Sequence, residues 1–168
     1  MHRTHTVIDS PLGPLTLVAT EGTLSGIYME PHRHRPAPET FGDSDASAFG
    51  AATEQLGEYF AQERTAFSLP LAPEGTGFQR TVWAALEEIP YGETLSYGQL
   101  AERIGRPGAA RAVGLANGRN PISIVVPCHR VIGSTGQLTG YGGGLERKRH
   151  LLDFERGAQA PRTDGTLW

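Results

Sequence analysis

The 168-residue chain has one cysteine, Cys128, and no long hydrophobic run. A single cysteine excludes an internal disulfide and also a zinc site built from four cysteines. No segment approaches the roughly 20 consecutive apolar residues that a membrane-spanning helix needs, and the N-terminal residues lead into no signal-peptide core. From these absences we expect a cytoplasmic protein that makes no membrane contact.

Glycine and proline are plentiful. The chain has 22 glycines and 12 prolines, together about a fifth of its length, which predicts many turns and short elements. Its 38% apolar and 20% charged residues are ordinary for a folded protein. The length suits one domain or two small ones.

Positive charge is concentrated in the second half of the chain, although the net charge is −3. Residues 1–75 hold four basic and ten acidic side chains, whereas residues 76–168 hold eleven and eight. The excess is largest in residues 94–150, where eight basic side chains face two acidic ones. Such an excess indicates a surface for a polyanion, but an ordinary solvated surface rich in arginine has the same pattern.

Residues 1–75 predict a small domain of a sheet and a helix. Apolar and β-branched runs between turns predict strands at 4–9, 15–20 and 24–29. Apolar residues at steps of three and four predict a helix within 44–61. The proline-rich stretch 70–75 marks the boundary with a second domain, residues 76–168.

The second half predicts a helix-turn-helix. One helix is expected at 78–89, and Ser96 and Gln99 have the spacing of a capping box that opens another helix. That helix ends near Gly105, and a short third helix at 109–116 follows after a glycine-containing turn. A last helix is expected to extend through Phe154.

The helix at 109–116 is poorly suited to reading base sequence. It offers Arg111 and otherwise small or apolar residues, whereas major-groove readers use Asn, Gln, Arg or Lys side chains. Small side chains allow the backbone to approach a minor groove closely, but they equally suit tight packing between helices. If DNA is bound, we expect little sequence preference.

Cys128 is followed directly by His129. A thiolate is a strong nucleophile, and a nearby base makes it available at neutral pH. Residues 122–126 predict a strand, and an extended continuation through 127–131 would point adjacent side chains to opposite sides, so we expect water to relay the proton. A lone cysteine is also commonly a buried structural residue, and spacing alone does not decide between the two interpretations.

Several short motifs follow one another in the second half. They are Pro90-Tyr91-Gly92, Tyr97-Gly98, Arg111-Ala112-Val113-Gly114, Asn120-Pro121, Pro127-Cys128-His129-Arg130-Val131 and Tyr141-Gly142-Gly143-Gly144. Their order and spacing across residues 78–155 resemble those of the O6-alkylguanine-DNA alkyltransferases, whereas residues 1–75 match that family only loosely.

The resemblance implies an α+β fold and a direct DNA-repair reaction. A ribonuclease-H-like N-terminal α/β domain would precede a mostly helical, winged-helix-like DNA-binding domain that carries the active site. The protein would bind alkylated duplex DNA through the minor groove, flip the damaged base, and transfer its alkyl group irreversibly from guanine O6, or thymine O4, to Cys128. No cofactor or metal is implied. We expect a monomer in solution, and the resemblance leaves cooperativity on DNA open.

The resemblance also implies roles for the catalytic residues. His129 would deprotonate Cys128 through water, and Glu155 would orient His129. Tyr97 would crowd the backbone phosphate during flipping and hydrogen-bond the base. Asn120 would tie the recognition helix to the active-site segment.

Further residues are implied to contact DNA or the flipped base. Arg111 would fill the gap left by the base. The remaining residues of the DNA surface and the base pocket would be Ala110, Ala112, Gly114, Ser123, Val131, Tyr141 and Gly142. Arg130 resembles a structural arginine with an ion-pair partner in the core. Without the resemblance, Glu155 could equally pair with Arg156 or Lys148, and His32 and His34 are expected in a surface loop.

Two positions depart from the family pattern. Gly142 stands where many members have a small polar residue, although the implied contact to O6 uses the backbone N–H. Ser123 stands where some animal members have a proline that stacks on benzyl groups, so we expect poor reaction with O6-benzylguanine. The zinc site of some animal relatives is not expected, because residues 1–75 contain no cysteine.

Three functions other than alkyl transfer would each need a feature that this sequence lacks. An alkyltransferase-like module that binds lesions without transfer would have another residue in place of Cys128. A transcriptional regulator would need a more polar recognition helix. A cysteine hydrolase would need an oxyanion hole, and the sequence indicates none.

Overall fold

The computed structural model describes residues 2–159. Residue 1 and residues 160–168 lie outside this part, so the end of the predicted range 76–168 is not described. The strands are β1 Arg3–Ile8, β2 Leu15–Thr20, β3 Thr23–Tyr28, β4 Asp43–Ser44, β5 Leu95–Ser96 and β6 Val131–Ile132. The helices are α1 Gly50–Phe60, α2 Gly77–Leu86, α3 Tyr97–Arg103, α4 Ala110–Gly118 and α5 Leu145–Gln159, with 3-10 turns at Pro38–Phe41, Ala46–Phe49 and Cys128–Arg130.

The first four strands form one sheet in the order β3-β2-β1-β4. The pairs β1–β2 and β2–β3 are antiparallel, and β4 runs parallel to β1. The link between β2 and β3 is the two-residue turn Glu21-Gly22, whose φ angles of 50° and 79° match the tight turns that antiparallel hairpins favour. The three strands predicted in this region are confirmed.

The second half is helical, with the two-residue strands β5 and β6 paired in parallel. The predicted capping box is confirmed: the Ser96 hydroxyl accepts from the Gln99 backbone N–H, and the Gln99 side chain accepts from the Ser96 N–H. Thr76 and Gln79 form the same arrangement at the start of α2. Both devices satisfy backbone donors that the first helical turn leaves free. The overall architecture is α+β, a sheet half followed by a helical half.

Two predicted extended segments are wrong. Residues 122–126 form a buried turn in which Val126 N–H donates to Ile122 C=O, and Ile124 has a φ of 74°. Only Ile122 pairs in a strand-like way, with Ile27 of β3. The next residues, Cys128–Arg130, form a 3-10 turn. A short apolar run does not distinguish a strand from any other buried segment, which explains the error.

One hydrophobic core joins the two halves. Its largest cluster includes Leu17 and Ile27 of the sheet, Tyr59 of α1, Trp83 of α2 and Cys128. The predicted division after residue 75 falls between α1 and α2 and remains a prediction. No helix within residues 2–159 is long and apolar enough to cross a membrane.

Candidate active site

Cys128 lies at the start of the 3-10 turn and is 4% exposed. Burial raises the pKa of its thiol to about 11, although the Asn120 side chain and the charge of Lys148 act in the opposite direction. The thiol is therefore protonated at neutral pH until a base removes its proton. Its neighbours provide such a base.

Glu155 of α5 is the centre of a buried hydrogen-bond network. Its Oε1 accepts from Arg130 Nε at 2.8 Å and from the Gly92 N–H at 3.4 Å. Its Oε2 accepts from Arg130 Nη2 at 2.9 Å, from the Tyr59 hydroxyl at 2.7 Å and contacts His129 Nε2 at 2.8 Å. Burial alone would raise the pKa of this carboxyl, but His129 and Arg130 hold it well below its usual range. The alternative predictions that Glu155 pairs with Arg156 or Lys148 are wrong. Arg130 has the ion-pair partner in the core that was expected, and that partner is Glu155.

His129 is fully buried, and burial lowers its pKa despite the opposing charge of Glu155. Because Arg130 already keeps Glu155 ionised, neutral His129 donates its Nε2–H to the carboxylate. Its Nδ1 then carries the lone pair, and this buried atom has no hydrogen-bond partner within residues 2–159. The imidazole is thus oriented as a base rather than as a donor at Nδ1.

Two asparagines hold the cysteine turn against α4. Asn120 Nδ2 donates to Val126 C=O at 2.8 Å, and Asn120 Oδ1 accepts from the Ile122 N–H at 3.0 Å. Asn117, on the last turn of α4, donates to the Cys128 carbonyl at 3.3 Å. Together they couple α4 to the turn that carries the thiol.

Tyr97 and Lys148 lie on another side of the thiol. Tyr97 is the first residue of α3, and its hydroxyl accepts from Thr139 Oγ1 at 2.9 Å. Lys148 is fully buried, donates to the Thr139 carbonyl at 2.7 Å and lies 5.9 Å from the centre of the Tyr97 ring. Burial lowers the pKa of Lys148 to about 8, while Cys128 acts to raise it. The charge of Lys148 lowers the pKa of Cys128 and so stabilises its thiolate.

The residues expected to form the base pocket lie mainly in the interior. Ser123, Val131 and Tyr141 are 2%, 0% and 6% exposed. Burial raises the pKa of Tyr141 well above its usual value, and the charge of Cys128 adds to the effect. The Gly142 carbonyl accepts from the Arg33 N–H at 2.6 Å. Within residues 2–159, no three His, Cys, Asp or Glu side chains form a group that could hold a metal ion.

The predicted DNA-contact residues on α4 are less buried than the thiol. Arg111 and Ala112 are exposed and Ala110 is half-buried. Gly114 is turned toward α3, because a Cβ placed there would lie 3.6 Å from the Tyr97 ring. A groove of about 260 Å³ separates α4 from the loop that carries Tyr141, and Cys128 is not among the residues that line it.

Three residues of the site were missed from the sequence. Tyr59 and Lys148 reach the site from distant positions in the chain, and Asn117 lies on the last turn of α4. The positions of Tyr59 on the apolar face of α1 and of Lys148 among charged neighbours carried no signal of their roles. His32, expected at the surface, is half-buried and accepts from the Met29 N–H at 2.9 Å.

A buried thiol with its own base, built into a helix-turn-helix, defines a class: a nucleic-acid-binding protein with covalent cysteine chemistry. The model of the DNA-binding domain of 6-O-methylguanine DNA methyltransferase matches residues 77–157. The model of the ribonuclease-like domain of the same enzyme matches residues 4–73.

Individual proteins agree with these matches. The methylated-DNA–protein-cysteine methyltransferase of Mycolicibacterium paratuberculosis is 58% identical over 149 residues, which cover 89% of this chain and 90% of that protein. The enzyme of the same name from Methanosarcina acetivorans is 49% identical over 152 residues, 90% of this chain and 97% of that one. The crystal structure of Mycobacterium tuberculosis OGT in complex with DNA has a TM-score of 0.86 and 55% identity, covering 92% of this chain and 94% of the other.

The chain therefore belongs to the 6-O-methylguanine DNA methyltransferase family. The family resemblance of the motifs is confirmed, and with it the expectation of a DNA-repair methyltransferase whose partner is DNA.

Proposed function

We propose that Cys128 accepts an alkyl group from O6 of guanine, and from O4 of thymine, in duplex DNA, once per protein molecule. The observation that carries this proposal is the buried series Cys128, His129 and Glu155, in which the thiol directly precedes, along the chain, an imidazole that a carboxylate orients. No cofactor enters the reaction, because the acceptor belongs to the chain.

The proton path follows from the charges of the network. Burial keeps His129 neutral against the opposing charge of Glu155, and its Nδ1 takes the thiol proton through water. Lys148 stabilises the thiolate that results. The sulfur then forms a bond to the alkyl carbon as the carbon–O6 bond breaks, and the electron pair passes to the guanine. The guanine recovers a proton on its ring, which balances the one removed from the thiol.

The damaged base must leave the DNA stack to reach Cys128. The thiol is buried, so a base within the duplex has no path to it. We infer that Arg111, exposed in the first turn of α4, occupies the space that the base leaves. Tyr141 and Ser123 would form the walls of the pocket, the Val131 carbonyl and the Gly142 N–H would contact the base, and Tyr97 would hydrogen-bond it.

The mode of DNA binding is the second part of the proposal. Ala110, Ala112 and Gly114 leave a low profile on α4, which suits close approach to the minor groove and gives little sequence preference. We further propose a monomer, divided after residue 75, that acts in the cytoplasm, since an unpaired acceptor thiol stays reduced there.

Transfer of a label tests the proposal. The protein is incubated with duplex DNA that carries O6-methylguanine labelled in its methyl group, and the modified residue is located by mass spectrometry. We expect one equivalent of label on Cys128 and none with the Cys128→Ala variant. Repeated release of label would indicate a turnover enzyme and would contradict the proposal. Binding without transfer would favour a lesion-binding module instead.

A further inference from the structure

The surface next to α4 continues onto the N-terminal half of the protein. Residues 31–35, which follow β3, border the groove of about 260 Å³ beside α4. Arg33 and His34 line it from this side. Leu115 of α4, Arg119 just after α4, and Tyr141 line it from the other. A surface reached by DNA on α4 therefore extends to residues 31–35, which we call the 31–35 loop.

The 31–35 loop is hydrogen-bonded to the loop that carries Tyr141 and Gly142. The Arg33 N–H donates to the Gly142 carbonyl at 2.6 Å. Arg147 of α5 donates to the carbonyls of Glu30 and Pro31 at 2.6 and 2.8 Å, and to that of Gly143 at 3.2 Å. The two loops are in close contact, since a Cβ on Gly142 would lie 2.6 Å from Nε2 of His32 in the 31–35 loop. The backbone thus sets where the side chains of this loop lie relative to α4.

The groove carries charge of one sign. Its charged or titratable side chains, apart from the Tyr141 phenol, are all basic: Arg33, His34 and Arg119. Neither arginine forms an ion pair with a carboxylate in the described part of the chain. Partial desolvation, followed by the nearby charges of Arg119 and Arg33, lowers the pKa of His34 and so favours its neutral form. Two like-charged arginines that share one groove favour an anion between them, and neutral His34 can still donate a hydrogen bond to it.

The spacing suits a phosphate backbone. Arg111 is the second residue of α4 and Arg119 directly follows the helix, eight residues or about 12 Å farther along the helix axis. Leu115, between them, is 70% exposed. DNA that lies along this face reaches Arg111 at one end and the basic groove at the other.

We propose that the 31–35 loop is a second DNA-binding element, in which Arg33 and His34 bind a backbone phosphate together with Arg119. The proposal rests on the proposed function, because it places the duplex on α4. It assigns the N-terminal half a direct part in holding DNA, and it predicts contacts that carry no sequence information.

Salt-dependent binding of full-length variants to an unmodified, fluorescent duplex tests this role. Arg33→Gln removes one charge and keeps the backbone contact to Gly142, and His34→Asn suits the positive φ of 60° at that position. The control is Arg64→Gln, which removes an arginine of the same half that pairs with Glu58. We expect Arg33→Gln to weaken binding and to reduce the slope of log K against log salt by about 0.9, the value for one phosphate contact.

The outcomes separate this proposal from the first. If Arg33→Gln and Arg64→Gln bind DNA alike while the unaltered protein still labels Cys128, the loop proposal is wrong and the transfer proposal stands. Transfer from the free base O6-methylguanine needs the pocket but no phosphate. An equal loss with free base and with DNA would show that Arg33 shapes the pocket, and this would also overturn the loop proposal.

Discussion

At the scale of single residues, Glu155 connects the chemistry to the fold. Its two oxygens are bonded by His129 and Arg130 of the cysteine turn, by Gly92 and by Tyr59 of α1. A buried carboxylate is costly unless donors surround it, and here the donors also keep it ionised. The same interactions that make the charge tolerable keep His129 available as a base.

The pH dependence of transfer tests the role of His129. Burial depresses the pKa of His129 below its usual value, so the imidazole is neutral above that value and protonated only at lower pH. We expect the transfer rate to be constant near neutral pH and to fall as the solution is acidified. In His129→Gln the thiol must ionise alone with a pKa of about 11, so the rate should rise about tenfold per pH unit below that value. Parallel profiles for the two proteins would contradict this role.

Tyr59 provides a prediction about stability. Its hydroxyl is fully buried and donates to Glu155 across the junction of the two halves. Tyr59→Phe should lower the free energy of unfolding by about 1.5–3 kcal/mol, the range for a hydrogen bond to a charged group. Urea denaturation measures the loss, and Tyr28→Phe, in the same half but in a separate hydrophobic cluster, is the control. An unchanged midpoint for Tyr59→Phe would show that the bond contributes nothing.

Ser123 tests substrate size. It is 2% exposed and lies beside Tyr141, where a larger apolar partner would be needed to stack on a benzyl group. We expect O6-benzylguanine to react much more slowly than O6-methylguanine presented as the same free base. Equal second-order rates for the two compounds would refute the prediction.

At the scale of elements, α3 holds Tyr97 in place through its first turn. Ser96→Ala removes the cap and should cost about 1 kcal/mol of stability. Thr76→Ala removes the equivalent cap of α2 and should cost about the same. Because Tyr97 directly follows Ser96, only Ser96→Ala should also slow transfer to Cys128. Single-turnover transfer rates of the two variants, compared at equal loss of stability, test this prediction. Equal rates would show that the Ser96 cap does not affect transfer to Cys128.

The elements also show what sequence could and could not predict. Capping at Ser96 and the strands β1, β2 and β3 follow from local signals, so they were predicted correctly. The turn at 122–126 was mistaken for a strand, because its residues are apolar and buried as those of a core strand would be, although only Ile122 pairs with β3. The family motif pointed to Cys128, His129 and Glu155. Tyr59 and Lys148 join the site through contacts between distant parts of the chain, and no local pattern encodes those.

At the scale of the whole molecule, the acceptor is part of the core. Cys128 belongs to the hydrophobic cluster that joins both halves, and Asn120 contacts its thiol. A methyl group on this sulfur should overfill the packing and destabilise the protein by about 1–3 kcal/mol. Thermal denaturation before and after reaction with methylated DNA should show a fall of several degrees, of the order expected for a chain of this size. The Cys128→Ala variant, treated alike, should not change; an identical transition for the reacted protein would contradict the prediction.

The single sulfhydryl has a practical consequence. Since the chain has one cysteine and that residue is 4% exposed, a maleimide can modify the protein at only one position, and only when the structure opens. The final extent of modification gives the fraction of molecules whose Cys128 sulfur has not yet accepted an alkyl group. The rate at which the maleimide is consumed measures how often the native polypeptide fluctuates to admit a small reagent.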